Sequence, residues 1–290
     1  MNRRSFLQSA ALGAIAMGTV KDLNDVLASE KHSESVMPVV FAGHGSPMNA
    51  IEDNEFSREW EKIGVALPHP KAILCISAHW QTRGTMVTAM EKPQTIHDFG
   101  GFPQELFDKQ YPAPGSPELA KTTKELVKKT SVELDMNWGL DHGTWSVLAR
   151  MFPKADIPTY QLSLDYTQAP QYHYDLAKEL RALRKKGVLI VGSGNIVHNL
   201  RMVSFDKPDG FDWAKEFDQK IEHALNERDH SSLINYQLLG SGAKLAVPTN
   251  EHYLPMLYVA ALQEKNEGLK YFNAQTQAGS ISMRSMIIGS

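Results

Sequence analysis

Several things are scarce in this chain of 290 residues, and each scarcity removes a class of protein. There is a single cysteine, Cys75, so no internal disulfide can form. It lies in the apolar run Ala72-Ile73-Leu74-Cys75-Ile76, where a thiol is buried and inert. Charge of either sign is not in excess: 30 Lys and Arg stand against 33 Asp and Glu, for a net charge of −3. That balance gives no electrostatic footprint for nucleic acid and no polybasic segment for an anionic membrane. The chain has no internal repeat and no low-complexity segment. Familiar local signatures are missing too. No pair of histidines has the H-x-x-x-H spacing of a zinc helix. Gly192-Ser193-Gly194-Asn195 follows an apolar run but lacks the third Gly of G-x-G-x-x-G, which argues against a nucleotide site. Gly43-His44-Gly45-Ser46 is not the elbow of a serine hydrolase, because His44 and Met48 stand where that turn needs glycine.

What is present begins at the N-terminus. Asn2-Arg3-Arg4-Ser5-Phe6-Leu7-Gln8 has the form of a twin-arginine export signal, followed by a mildly apolar stretch from Ala10 to Val20. That stretch is too short to span a bilayer but suits a signal peptide. Val26-Leu27-Ala28 offers a cleavage point. Residues 1–37 are therefore expected to be signal and mature tail, with 38–290 as the catalytic domain. Export of the folded protein to the periplasm by the twin-arginine machinery follows, and no stable membrane association after signal removal. An ordinary amphipathic N-terminal helix, with a cytoplasmic protein, is the alternative.

The remaining chain alternates apolar strands with helical patterns, which implies α/β architecture. Strands are expected near 38–42, 71–77, 85–90, 157–164, 187–195, 271–274 and 280–288. Helices are expected at 54–66, 116–129, 144–151, 168–185, 211–227 and from the segment after Val247 to about Gln263. The expected fold is one domain with a central mixed, largely parallel sheet flanked by helices. Residues 92–115, rich in Gly, Pro and aromatics, read as a long connection that forms a pocket wall or lid. No lone Arg or Lys in it declares a carboxylate partner.

The chemistry lies in the histidines. Val39 to Ala42 reads as a buried strand that stops at Gly43-His44-Gly45-Ser46-Pro47, where Pro47 bars an immediate helix. The same arrangement recurs at Ser77-Ala78-His79-Trp80. His198 follows the most apolar strand, His252 precedes the last helix, and His142 stands between turn residues. Strand ends on one edge of a parallel sheet converge in space, so His44, His79, His198 and His252 form a candidate metal site at the strand C-termini. Imidazole suits Fe(II), Zn, Cu and Ni. The other histidines (His32, His69, His97, His173, His223, His230) are expected on solvated faces, with His97 as a pocket residue.

Five segments occur in a fixed order: Gly43-His44-Gly45-Ser46-Pro47-Met48-Asn49, Ser77-Ala78-His79-Trp80, Leu140-Asp141-His142-Gly143-Thr144-Trp145, Gly192 to Asn199, and Thr249-Asn250-Glu251-His252-Tyr253-Leu254-Pro255. Together they resemble the 4,5-DOPA extradiol dioxygenase family, among the class III extradiol ring-cleavage dioxygenases, over about residues 38–288. The resemblance implies cleavage of a small aromatic diol with O2 at one divalent metal, Fe(II) for activity, with Zn(II) as the ion bound on isolation. It makes His44, His79 and His252 metal ligands. His198 becomes either a further ligand or the acid/base, and His142 a residue that touches substrate. Many relatives complete the ligand set with a Glu, so Glu251 is the alternative to His252. A zinc hydrolase and a non-enzymatic metal-binding protein on the same fold are the competing readings.

Overall fold

The computed structural model describes residues 36–289; of the expected signal and tail, residues 1–37, all but Val36 and Met37 lie outside the described residues. The strands of the central sheet are β1 (Val39–Gly43), β2 (Ala72–Ser77), β3 (Thr159–Gln161), β4 (Val188–Gly194), β5 (Leu269–Phe272) and β6 (Ser285–Ile288). Their order across the sheet is β5-β6-β1-β4-β2-β3. The pairs β1–β4, β4–β2 and β2–β3 are parallel. The strand β6 runs antiparallel to both β1 and β5 and closes one side of the sheet. The sheet is thus mixed and largely parallel, as expected. Register aligns Gly43 with Gly194 and Ser193 with Ser77, so three parallel strands end side by side.

Alternate residues of each strand face opposite helical layers, as the pleat requires. Val39, Phe41, Leu74, Ile76 and Ile190 join one core, and Val40, Ala42, Ile73, Cys75, Leu189 and Val191 join the other. Six helices cover these faces: α1 (Glu55–Ala66), α2 (Pro117–Leu126), α3 (His142–Met151), α4 (Pro170–Glu179), α5 (Asp212–Asn226) and α6 (Leu254–Ala261). Their starts obey local chemistry. Asn54 and Ser57 form a reciprocal capping box at α1, and Ser116 caps α2 ahead of Pro117. The helix α6 is buried along its whole length, packed between the sheet and α4. Met37, ahead of β1, is also buried. Among the described residues, no helix is long and apolar enough to cross a membrane.

Four details depart from the sequence expectations. The helix α3 begins at His142 rather than Thr144, because the buried Asp141 side chain accepts the Thr144 N–H at 3.1 Å and caps it. The helix expected over 168–185 is two helices, Pro170–Glu179 and Arg181–Lys185, joined at Leu180. The connection 92–115 holds a short helix, Gln104–Asp108. His173, expected to be solvated, is fully buried on α4, with Nδ1 3.1 Å from the Tyr258 hydroxyl. Its neighbours on α4 are amphipathic in sequence, and only packing against α6 reveals which side it takes.

Candidate metal centre

The carboxyl ends of β1, β2 and β4 form the floor of the site. His44 follows β1 directly, and its N–H donates to the Gly194 carbonyl at 3.0 Å. Gly45, after it, turns the chain with a left-handed φ of +58°, which a side chain would resist. His79 stands two residues beyond β2, its N–H 3.2 Å from the Ser77 hydroxyl. His142 opens α3. His252 lies in the turn before α6, and its carbonyl accepts the Asn195 N–H at 2.9 Å. That contact needs Gly194: a Cβ there would sit 2.1 Å from the His252 carbonyl oxygen. Asn195 ties three segments together. Its side chain donates to the Ser282 carbonyl at 2.8 Å and accepts the Gly45 N–H at 3.3 Å.

These backbones bring all five histidines together. The ring centroids of His44, His79 and His252 form a near-equilateral triangle with sides of 5.0, 5.0 and 5.2 Å. Three imidazoles that share one ion, each nitrogen about 2 Å from it, have centroids roughly 5 Å apart. His142 does not fit the same ion as well: its ring is 3.8 Å from that of His79 and 5.8 Å from that of His44. His198 stacks face to face on His252 at 3.5 Å with an interplanar angle of 6°. Nitrogen lone pairs lie in the ring plane, so an ion shared by two parallel stacked rings would stand well out of both planes. Ligand atoms come within 4.8 Å of one another in two separate groups, His44-His79-His142 and His198-Glu251-His252, but the triangle of rings that spans them has the better shape for one ion.

Donors and acceptors behind the rings fix their tautomers. The Ser193 hydroxyl donates to the Gly143 carbonyl at 2.5 Å, so it can only accept from His44 Nδ1 at 2.9 Å. Glu251 Oε1 lies 3.2 Å from His252 Nδ1, and a carboxylate oxygen accepts rather than donates. Asp98 Oδ2 lies 3.3 Å from His79 Nδ1. His44 and His252 therefore carry the proton at Nδ1 and present a bare Nε2, and the nearby Asp98 charge favours the same tautomer of His79. His44 Nε2 and His79 Nε2 face each other at 3.2 Å, and His252 Nε2 is buried with no hydrogen-bond partner. Bare lone pairs at that separation repel unless a cation lies among them. The residues fit a divalent metal, and they show why Glu251, turned onto His252, is better placed to orient that ring than to replace it.

Burial keeps these imidazoles neutral. Desolvation pushes His44 and His252 well below the usual histidine range, with the surrounding imidazoles adding to the effect. Burial also pushes His79 down to about 3 and His198 down to about 4. At His198 desolvation outweighs the opposing charge of Glu251. Neutral imidazole is the form that binds metal.

The connection 92–115 does form a wall of the site. Phe99 meets His142 edge-on at 5.4 Å and contacts Phe102 and Phe107, and His97 lies 5.4 Å from Trp145. The residue that sequence reasoning passed over in this segment is Asp98. Its Oδ1 accepts the His142 N–H at 2.9 Å, and its Oδ2 is 2.9 Å from His142 Nδ1 as well as close to His79. The only signal was an acid between His97 and Phe99 in an aromatic loop.

The model of the LigB family, the catalytic LigB subunit of aromatic ring-opening dioxygenase, matches residues 32–281. The chain belongs to the LigB family. It is 48% identical to the 4,5-DOPA dioxygenase extradiol of Escherichia coli K12 over 89% of this chain and 96% of that one. Proteins of the same name from Beta vulgaris and Portulaca grandiflora are 39% and 40% identical, covering 77% and 74% of this chain and 85% and 82% of theirs. The crystal structure of an uncharacterized protein from E. coli K12 superposes with a TM-score of 0.76 at 43% identity, covering 87% of this chain and 99% of that one. This LigB-family chain is an enzyme of the aromatic ring-opening dioxygenase class, a class that implies a metal, and its imidazole cluster could hold one.

Proposed function

We propose that the protein is an extradiol dioxygenase that opens the ring of a small catechol with O2, using one divalent metal held by His44, His79 and His252. The observation that carries this reading is the triangle of three imidazoles, each held from behind at Nδ1 and each offering a free Nε2. Three neutral ligands on one side of an ion leave its other side to substrate. The ion, Fe(II) for turnover, supplies positive charge for a deprotonated catechol and the one-electron chemistry that a spin-forbidden reaction with O2 requires.

The side chains supply the rest. A ring nitrogen of His198 takes the catechol hydroxyl proton and returns it when the ring opens. Its stacking on His252 holds it beside the metal without making it a ligand. His142, gripped by Asp98, faces the same space and contacts the bound aromatic or O2. Phe99 and its aromatic neighbours exclude water from one side of the pocket. Both atoms of O2 enter the product, a ring-opened muconic semialdehyde. The names of the relatives make DOPA the first substrate to try.

The test is O2 uptake by anaerobically Fe(II)-loaded protein offered a panel of catechols including DOPA, with a Zn(II)-loaded control. Uptake and a yellow ring-opened product in the iron sample alone support the reading. No uptake with any catechol at full metal occupancy overturns it and favours a zinc hydrolase or a binding protein. The segment Arg3-Arg4-Ser5-Phe6-Leu7 supports export to the periplasm by the twin-arginine route. Fusing residues 1–37 to a reporter that is active only after export tests this, and a reporter retained in the cytoplasm contradicts it.

A further inference from the structure

Asp98 belongs to no ligand set and lies on the pocket wall rather than the sheet, yet three groups of the site meet it. Its Oδ1 accepts the backbone N–H of His142 at 2.9 Å, at the first residue of α3. Its Oδ2 lies 2.9 Å from His142 Nδ1 and 3.3 Å from His79 Nδ1. The side chain is 19% exposed, so water competes little for these contacts. Neither ring contact is aligned as a hydrogen bond, and His142 Nδ1 is buried without a hydrogen-bond partner, so the carboxylate acts on both rings through its charge, which favours the proton on the near nitrogen, Nδ1, and leaves each Nε2 toward the site. The next residue, Phe99, touches the edge of the His142 ring. Wall and imidazoles are thus joined at one side chain.

We propose that Asp98 is a positioning residue that fixes the tautomer and aim of both His79 and His142 and couples them to the aromatic wall of the substrate pocket. The proposal rests on the metal site argued above, but its test does not need turnover. Asparagine makes the sharpest variant. It keeps the size of the side chain and an acceptor for the His142 N–H but removes the charge that faces both rings.

The experiment is nitrogen-15 histidine NMR of the full chain loaded with Zn(II), in the wild type and in Asp98→Asn, with Zn(II) affinity measured against a competing chelator. The wild type should show His79 and His142 protonated at Nδ1, the nitrogen that faces the carboxylate, each with its own proton signal. Asp98→Asn should lose at least one of those signals and bind Zn(II) 10- to 100-fold more weakly. A wild-type spectrum with either ring protonated at Nε2 overturns the proposal even if the variant fails to fold. A folded variant that keeps both signals and binds Zn(II) within twofold of wild type also overturns it. If the wild-type protein shows these tautomers yet takes up no O2 with any catechol, the positioning role stands and the dioxygenase reading falls.

Discussion

The two edges of the central sheet carry buried ionisable groups of opposite character. At the amino edge, ahead of β1 and β4, Arg184 is fully buried. It donates to the Met37 carbonyl at 2.7 Å and the Leu262 carbonyl at 2.8 Å, and it forms a two-point ion pair with Glu267. At the carboxyl edge His44, His79 and His252 have their outer nitrogens engaged and their inner ones bare. Both edges bury polar groups at a cost, and only the first recovers it within the protein. The amino edge is a closed network that joins chain segments, whereas the carboxyl edge is completed by something the chain does not supply.

Breaking each edge should give opposite phenotypes. The largest expected effect is at the carboxyl edge. His44→Ala should reduce bound metal from one equivalent to near none and abolish turnover while the metal-free protein unfolds close to wild type, read by metal analysis and thermal melts. Next, His198→Gln should leave metal content near one equivalent while kcat falls roughly 10²- to 10⁴-fold, the span of a lost general base. Loss of metal together with activity would make His198 a ligand. At the other edge, Arg184→Met should cost about 3 kcal/mol in chemical denaturation by leaving Glu267 and two carbonyls without their partner. Its affinity for Zn(II) should stay within twofold of wild type.

The smallest effect separates a histidine that belongs to neither edge. Burial holds His173 down at about 4, against about 6.5 in the unfolded chain. The unfolded state binds the extra proton first as pH falls. The stability this group confers is complete above pH 6.5 and is lost progressively as the pH falls from 6.5 through about 4. Metal-free protein should show that decline in denaturant titrations, and His173→Gln should flatten it.

The sheet was legible because its strands are short apolar runs with punctuated ends, and Gly43-His44-Gly45-Ser46-Pro47 marks its own turn. Convergence of His44, His79 and His198 followed from parallel topology alone. The rest needed coordinates for physical reasons. That α3 starts at His142 depends on a long-range grip on Asp141, whose side chain also holds Ser77 and Gln161. Whether Glu251 or His252 faces inward depends on side-chain rotation in a turn, which periodicity does not encode. The stacking of His198 on His252 is a rotamer fact, which periodicity does not encode either. Asp98 acts across gaps of 19 and 44 residues to two imidazoles, so nothing local announces it.

The central claim is that one metal sits among His44, His79 and His252. The most direct measurement is an anomalous-diffraction crystal structure of Zn(II)-loaded protein. The account predicts a single strong peak bonded to the three Nε2 atoms, with Glu251 on His252 Nδ1 and His198 unbound. A peak held by Glu251 and His198, or by His142 in place of His252, would contradict it.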